Sequence, residues 1–157
     1  MRKTLFLAAA TGFLSVACND PTAPQTLECK LSQSAPQSVV DRTQTDIVFD
    51  KSDCALTGGP QGIILPAGTW TVNVQIVWSP NSNGERGSCI FFDQGVLVED
   101  GRKPMSTAGT IQSMSYTFRV DSPGYLRVTG TQTSGTTLQT MVNSKAGVLT
   151  FVKLTRL

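Results

Sequence analysis

Thr69-Trp70-Thr71-Val72-Asn73-Val74-Gln75-Ile76-Val77-Trp78 is the stretch on which the fold turns. Trp70, Val72, Val74, Ile76 and Trp78 recur at every second position, with Thr71, Asn73 and Gln75 among the residues between them. A period of two puts the first set on one face of an extended strand and the second on the other. Ile111 to Val120 repeats the pattern: Met114, Tyr116, Phe118 and Val120 face one way, Ser113, Ser115, Thr117 and Arg119 the other. Shorter apolar runs at 47–49, 89–92, 95–98, 125–129 and 138–142 are set apart by clusters of turn residues, and none carries a helical period. Gly58-Gly59-Pro60, Ser79 to Gly84, Asp121-Ser122-Pro123-Gly124 and Asn143 to Gly147 are the turns. Short strands at this spacing predict an all-β fold, an antiparallel β-sandwich. The last run, Val148 to Leu154, is apolar on both faces, with Val148, Val152 and Leu154 on one and Leu149 and Phe151 on the other. Such a strand is either central in a closed structure or buried between subunits, so Leu149 and Phe151 are candidate interface residues.

Only 15 % of the 157 residues are charged, and Thr, Ser, Gly and Gln carry the polarity instead. That profile fits β-rich surface proteins better than helical bundles, which draw on Glu, Lys and Ala. The formal charge is +2, with no basic run, which leaves no electrostatic footprint for nucleic acid. The chain has no histidine, so the commonest general base and metal ligand is missing.

The N-terminus reads as an export signal. Met1-Arg2-Lys3 is basic, Thr4 to Val16 is almost wholly apolar, and small residues precede Cys18. The apolar run is shorter than the roughly 20 residues a membrane span needs. Residues 1–17 are therefore expected to be a signal peptide, 18–45 a polar, proline-punctuated tether that contributes at most one short strand near Ser38-Val39-Val40, and 46–157 the sandwich. Leu14-Ser15-Val16-Ala17-Cys18 resembles the lipobox of bacterial lipoproteins, although Ser15 stands where that box carries leucine. The resemblance implies lipidation of Cys18 and anchorage to a membrane. Ser15-x-Ala17 equally fits an ordinary signal-peptidase site that releases a soluble chain.

The four cysteines are Cys18, Cys29, Cys54 and Cys89. An acylated Cys18 leaves three, enough for one disulfide and a free thiol in an oxidising compartment, whereas an unmodified Cys18 allows two bridges in three connectivities. Cys29 and Cys54, both in polar, loop-like sequence, are the expected pair. Cys89 opens the apolar run Ile90-Phe91-Phe92 and is expected to be buried as a small hydrophobe. No two cysteines have metal-ligand spacing, so neither a metal nor another cofactor is expected.

Ile63-Ile64-Leu65-Pro66-Ala67-Gly68-Thr69-Trp70-Thr71-Val72 resembles the lead-in to a long strand in C1q/TNF-like jelly rolls and in phage fibre and spike domains of that type. In those folds an apolar run, a Pro-x-Gly turn and an aromatic introduce the strand, and a short apolar strand near the C-terminus packs at a trimer axis. The resemblance spans about Leu56 to Leu157 and implies jelly-roll topology and a homotrimer. It identifies no ligand, because such folds host many functions.

Candidate chemistry is sparse. No serine stands in a nucleophile-elbow context, and Lys51-Ser52 and Ser144-Lys145 lie in turn-like sequence. Asp46, Asp50 and Asp53 lack the spacing of a calcium loop and read as solvated carboxylates. Trp70, Trp78 and Tyr116 read as core rather than as a sugar platform. The two polar loops at 81–88 and 129–137 are the natural recognition elements, with Asn81, Asn83, Thr131 and Thr133 as candidate contacts and Arg86 as the expected hot spot. The expectation is an exported, lipid-anchored, non-enzymatic protein of the bacterial cell envelope, bacterial or prophage-encoded, that binds a protein or glycan. The alternative is a virion structural component, a spike, decoration or fibre-type trimer. A secreted enzyme stands well behind both.

Overall fold

The computed structural model describes residues 27–59, 62–104, 109–143 and 148–157. The signal peptide, Cys18 and most of the turn at 144–147 lie outside these residues. Every regular element among them is a strand: β1 (Leu27–Ser32), β2 (Ser38–Val39), β3 (Thr45–Asp46), β4 (Lys51–Ser52), β5 (Ile63–Leu65), β6 (Gly68–Val77), β7 (Arg86–Phe92), β8 (Gly95–Arg102), β9 (Ile111–Val120), β10 (Gly124–Gln132), β11 (Leu138–Gln139), β12 (Val142–Asn143), β13 (Val148–Leu149) and β14 (Phe151–Arg156). One sheet has the order β4-β1-β14-β6-β9. The other runs β3-β10-β7-β8, with β5 also paired to β10. All the pairings are antiparallel. The two sheets form an antiparallel β-sandwich of jelly-roll type.

The period of two becomes the core. Trp70, Val72, Val74 and Ile76 of β6 face inward beside Val152 and Leu154 of β14, and meet Ile63, Leu65, Ile90, Leu126 and Val128 of the opposite sheet. Burial of these side chains is the main stabilising term, at about 1.5–3 kcal/mol for each large one. β14 lies between β1 and β6, with Val152 and Leu154 in the core and Phe151 half-buried on the outer face. The predicted run from Val148 is broken at buried Thr150, whose hydroxyl accepts from the Val77 N–H at 3.1 Å.

The tether reading is corrected from Leu27 onward. β1 pairs with β14 over six residues and buries Cys29 and Leu31. Its alternation of Leu27, Cys29 and Leu31 is short and interleaved with Glu28 and Lys30, so the strand is hidden in polar sequence. Tyr116 is corrected too. It lies on the edge strand β9 and is 39 % exposed, while Trp70 and Trp78 are fully buried as expected.

Polar groups inside the sandwich are paired across it. Gln112 of β9 is fully buried. Its Oε1 accepts from the Trp78 indole N–H at 2.6 Å and the Ser88 hydroxyl at 2.5 Å. Its Nε2 donates to the carbonyls of Arg86 at 3.1 Å and Asp100 at 3.0 Å. One amide thus ties β9 to β7 and β8 of the opposite sheet. The sandwich has two distinct ends. Leu27, Arg156, Trp70 and Phe118 share a row, and the Phe118 ring stands 5.3 Å from Phe92 at the β7–β8 turn. The loops at 81–85 and 133–137 lie at the opposite end.

Candidate functional site

The two polar loops expected to recognise a partner come together. Gly84, at φ +67°, packs so closely on the second loop that an added Cβ would lie 2.0 Å from the Thr133 carbonyl oxygen. Only glycine fits that approach and that backbone. The Glu85 N–H donates to Thr133 Oγ1 at 2.9 Å, and the Thr133 N–H donates back to the Glu85 carbonyl at 3.1 Å. Ser82, Gly84, Glu85, Lys103, Pro104 and Thr133 line an open depression of about 480 Å³. Lys103 lies 3.4 Å from Glu85 across it. Asn83 is exposed and Asn81 half-buried, its Oδ1 accepting from the Asn83 N–H at 2.7 Å. Thr131 sits half-buried on β10 opposite Gly87.

Arg86 is not a surface hot spot. It opens β7 with 0 % exposure, and its guanidinium donates to the carbonyls of Asn83 at 2.9 Å, Glu85 at 3.1 Å and Asn81 at 3.0 Å. Its Nε has no partner among the described residues, and burial pushes the guanidinium below its ordinary value. The residue clamps the first loop from beneath. Position 86 falls in phase with Ser88 and Ile90, so β7 turns its side chain inward, and sequence reasoning lacked the start of that strand.

Cys29 and Cys54 form the disulfide, with Cα atoms 5.4 Å apart. Cys29 is a buried strand residue rather than the loop residue expected, and Cys54 lies just beyond β4. Asp53 also approaches both sulfurs, and its carboxylate accepts from the Lys30 N–H at 2.6 Å. Cys89 corrects another expectation. It stands half-buried on the outer face between Thr129 and Glu99. Burial and then the Glu99 charge push its thiol pKa up, against a hydrogen bond with Thr129.

The aspartates do not converge. Asp46 pairs with Arg127 at 3.6 Å, and Asp50 accepts from the Ser34 N–H at 2.7 Å and from its hydroxyl. Those two bonds hold the Asp50 carboxyl below its usual range, which makes it a weaker base toward Ser34. This corner lines a second polar depression, of about 440 Å³, with Gln33, Pro36 and Gln37. Phe151 lies on the outer face of the other sheet, with Lys30 Nζ 4.7 Å from its ring centroid. Leu149 belongs to β13 beside β12, and its side chain lies outside what is described.

No protein-family model and no curated protein matches this chain. Solved structures do share its fold. The PRD1 vertex protein P5 aligns at 18 % identity and a TM-score of 0.55, covering 84 % of this chain and 96 % of that one. Murine APRIL aligns at 12 % identity and a TM-score of 0.60, covering 85 % of this chain and 100 % of that one. Eiger, a TNF from S. frugiperda, aligns at 12 % and 0.50, covering 84 % of this chain and 92 % of that one. At these identities the likeness establishes the jelly-roll fold and nothing finer.

Proposed function

We propose that this chain is a non-enzymatic jelly-roll module that works outside the cytoplasm, assembling with copies of itself and presenting its loop end to a partner. The Cys29–Cys54 bridge carries this reading, because such bonds persist in oxidising compartments and are rare in the cytosol. Two settings fit. The first is a structural virion component, a spike- or decoration-type trimer. The likeness to a vertex protein over 96 % of that protein's length supports it, and the fold likenesses favour it over the second setting.

The second is a lipoprotein of the bacterial envelope, anchored through Cys18, that binds a protein or glycan. The basic-apolar start and the lipobox-like Leu14 to Cys18 support it. Intact mass of the chain from its native source separates the two. A chain that starts at Cys18 and carries acyl mass selects the lipoprotein, and an intact Met1 within a particle selects the virion component. A reduced, cytoplasmic chain would refute both.

A further inference from the structure

Five of the eight exposed large apolar side chains among the described residues lie toward one end of the sandwich. Leu27, Ile64, Val96, Tyr125 and Leu157 are between 39 % and 62 % exposed. Ile64 and Tyr125 are direct cross-strand partners, and Val96 follows the β7–β8 turn next to Phe91. Leu27 starts β1 opposite Arg156, and the Leu157 N–H bonds the Thr69 carbonyl beside them. These five come from both sheets and form a collar. Among the described residues, the exposed large apolar side chains at the other end are Val40 and Ile111, amid amides and hydroxyls, and Tyr116 lies midway along β9.

The chain enters the fold through this collar. Eight residues, Asn19 to Thr26, separate Cys18 from Leu27. Fully extended they reach about 30 Å at most. Resting on the anchored form of the proposed function, we infer that the collar is a membrane-docking surface, seated in the headgroup region of the bilayer that holds Cys18. Tyrosine and aliphatic side chains suit that region, which is apolar on one side and wet on the other. The charges near this end are offset: Arg119 pairs with Asp121 at 2.8 Å, Arg127 with Asp46 at 3.6 Å, and Arg156 and Asp93 are opposite in sign. Contact is therefore apolar and insensitive to salt and to lipid charge. The sandwich then stands upright, with the loop depression near Lys103 turned away from the membrane.

The test uses the full acylated chain on phosphatidylethanolamine/phosphatidylglycerol vesicles whose acyl chains are brominated. Trp70 and Trp78 are fully buried, so an added tryptophan reports its own surroundings. Tyr125→Trp should lose about half of its added fluorescence to the bromine, in low and high salt alike, while Val40→Trp loses none. Ile64→Asp should abolish quenching in Tyr125→Trp while flotation persists through the acyl chains. An acylated, co-floating Tyr125→Trp chain with no quenching overturns the docking inference alone. A chain without acyl mass overturns the anchored reading and the inference with it. Concentration-dependent association lost in Tyr125→Asp would give the collar to a second copy of the chain and also overturn membrane docking.

Discussion

Replacing Gln112 with leucine tests the internal architecture most directly. The substitution keeps volume but removes the acceptor of the Trp78 indole N–H and the Ser88 hydroxyl, both fully or nearly buried. Each buried donor left unpaired costs about 1–3 kcal/mol. The Ser88 hydroxyl can rotate toward another acceptor, so its share belongs at the low end. The carbonyls of Arg86 and Asp100 each lose one donor as well. Burial of a more apolar side chain returns about 1 kcal/mol. The net loss should be about 2–4 kcal/mol, a large fraction of the 5–15 kcal/mol typical of a domain. Urea unfolding followed by tryptophan fluorescence gives the value, with an unchanged m-value as the sign that the native state is intact. Ser88→Ala added to Gln112→Leu should cost less than in the parent, with a coupling of about 1 kcal/mol. A loss below about 1 kcal/mol, with no coupling, would mean that water satisfies these groups and that the amide does not clamp the sheets.

The remaining expectations concern the bridge, the central strand and the free thiol. Reducing Cys29–Cys54, 25 residues apart, should lower stability by about 3 kcal/mol, read as the shift in urea midpoint on adding reductant; no shift would show that the bridge is not formed in solution. Phe151→Asp should leave a folded monomer, because the side chain is only half-buried beside Lys30, and should dissociate a trimer that packs through this face. An unchanged oligomer on light scattering would remove Phe151 from the interface. The raised pKa of Cys89 leaves less thiolate at neutral pH, so alkylation should be slow and should accelerate as pH rises above the ordinary thiol range. Glu99→Gln removes a charge that raises this pKa and should speed the reaction at neutral pH; an unchanged rate would leave burial as the sole cause.

Much of the fold was legible because a strand with one buried face writes its geometry into the sequence. The alternations in Thr69 to Trp78 and Ile111 to Val120 reappear as the two longest strands, paired along ten residues. The double-sided apolar run at the C-terminus becomes a central strand, and Cys29 with Cys54 becomes the bridge. What stayed hidden were short strands and phase. β1 has too few alternating positions to stand out from its charged neighbours. Cys89 was read by its apolar sequel, whereas its side chain is set by a one-residue phase that puts Ile90 inside and Cys89 outside.

The site divides the same way. From the sequence alone, polar connections could be read around 81–85 and 133–137, overrunning into β7 and β10, together with a basic-apolar N-terminal segment. Only the tertiary structure joined those loops through Gly84 and Thr133, and turned Arg86 from a recognition residue into the clamp beneath them. It alone gathered Leu27, Ile64, Val96, Tyr125 and Leu157 at one end, from positions spread across the whole described chain. The physical reason is range. Alternation and turn chemistry act between neighbours in sequence, whereas burial, end and face are fixed by which strands pair across the sandwich, and those partners lie up to more than a hundred residues apart.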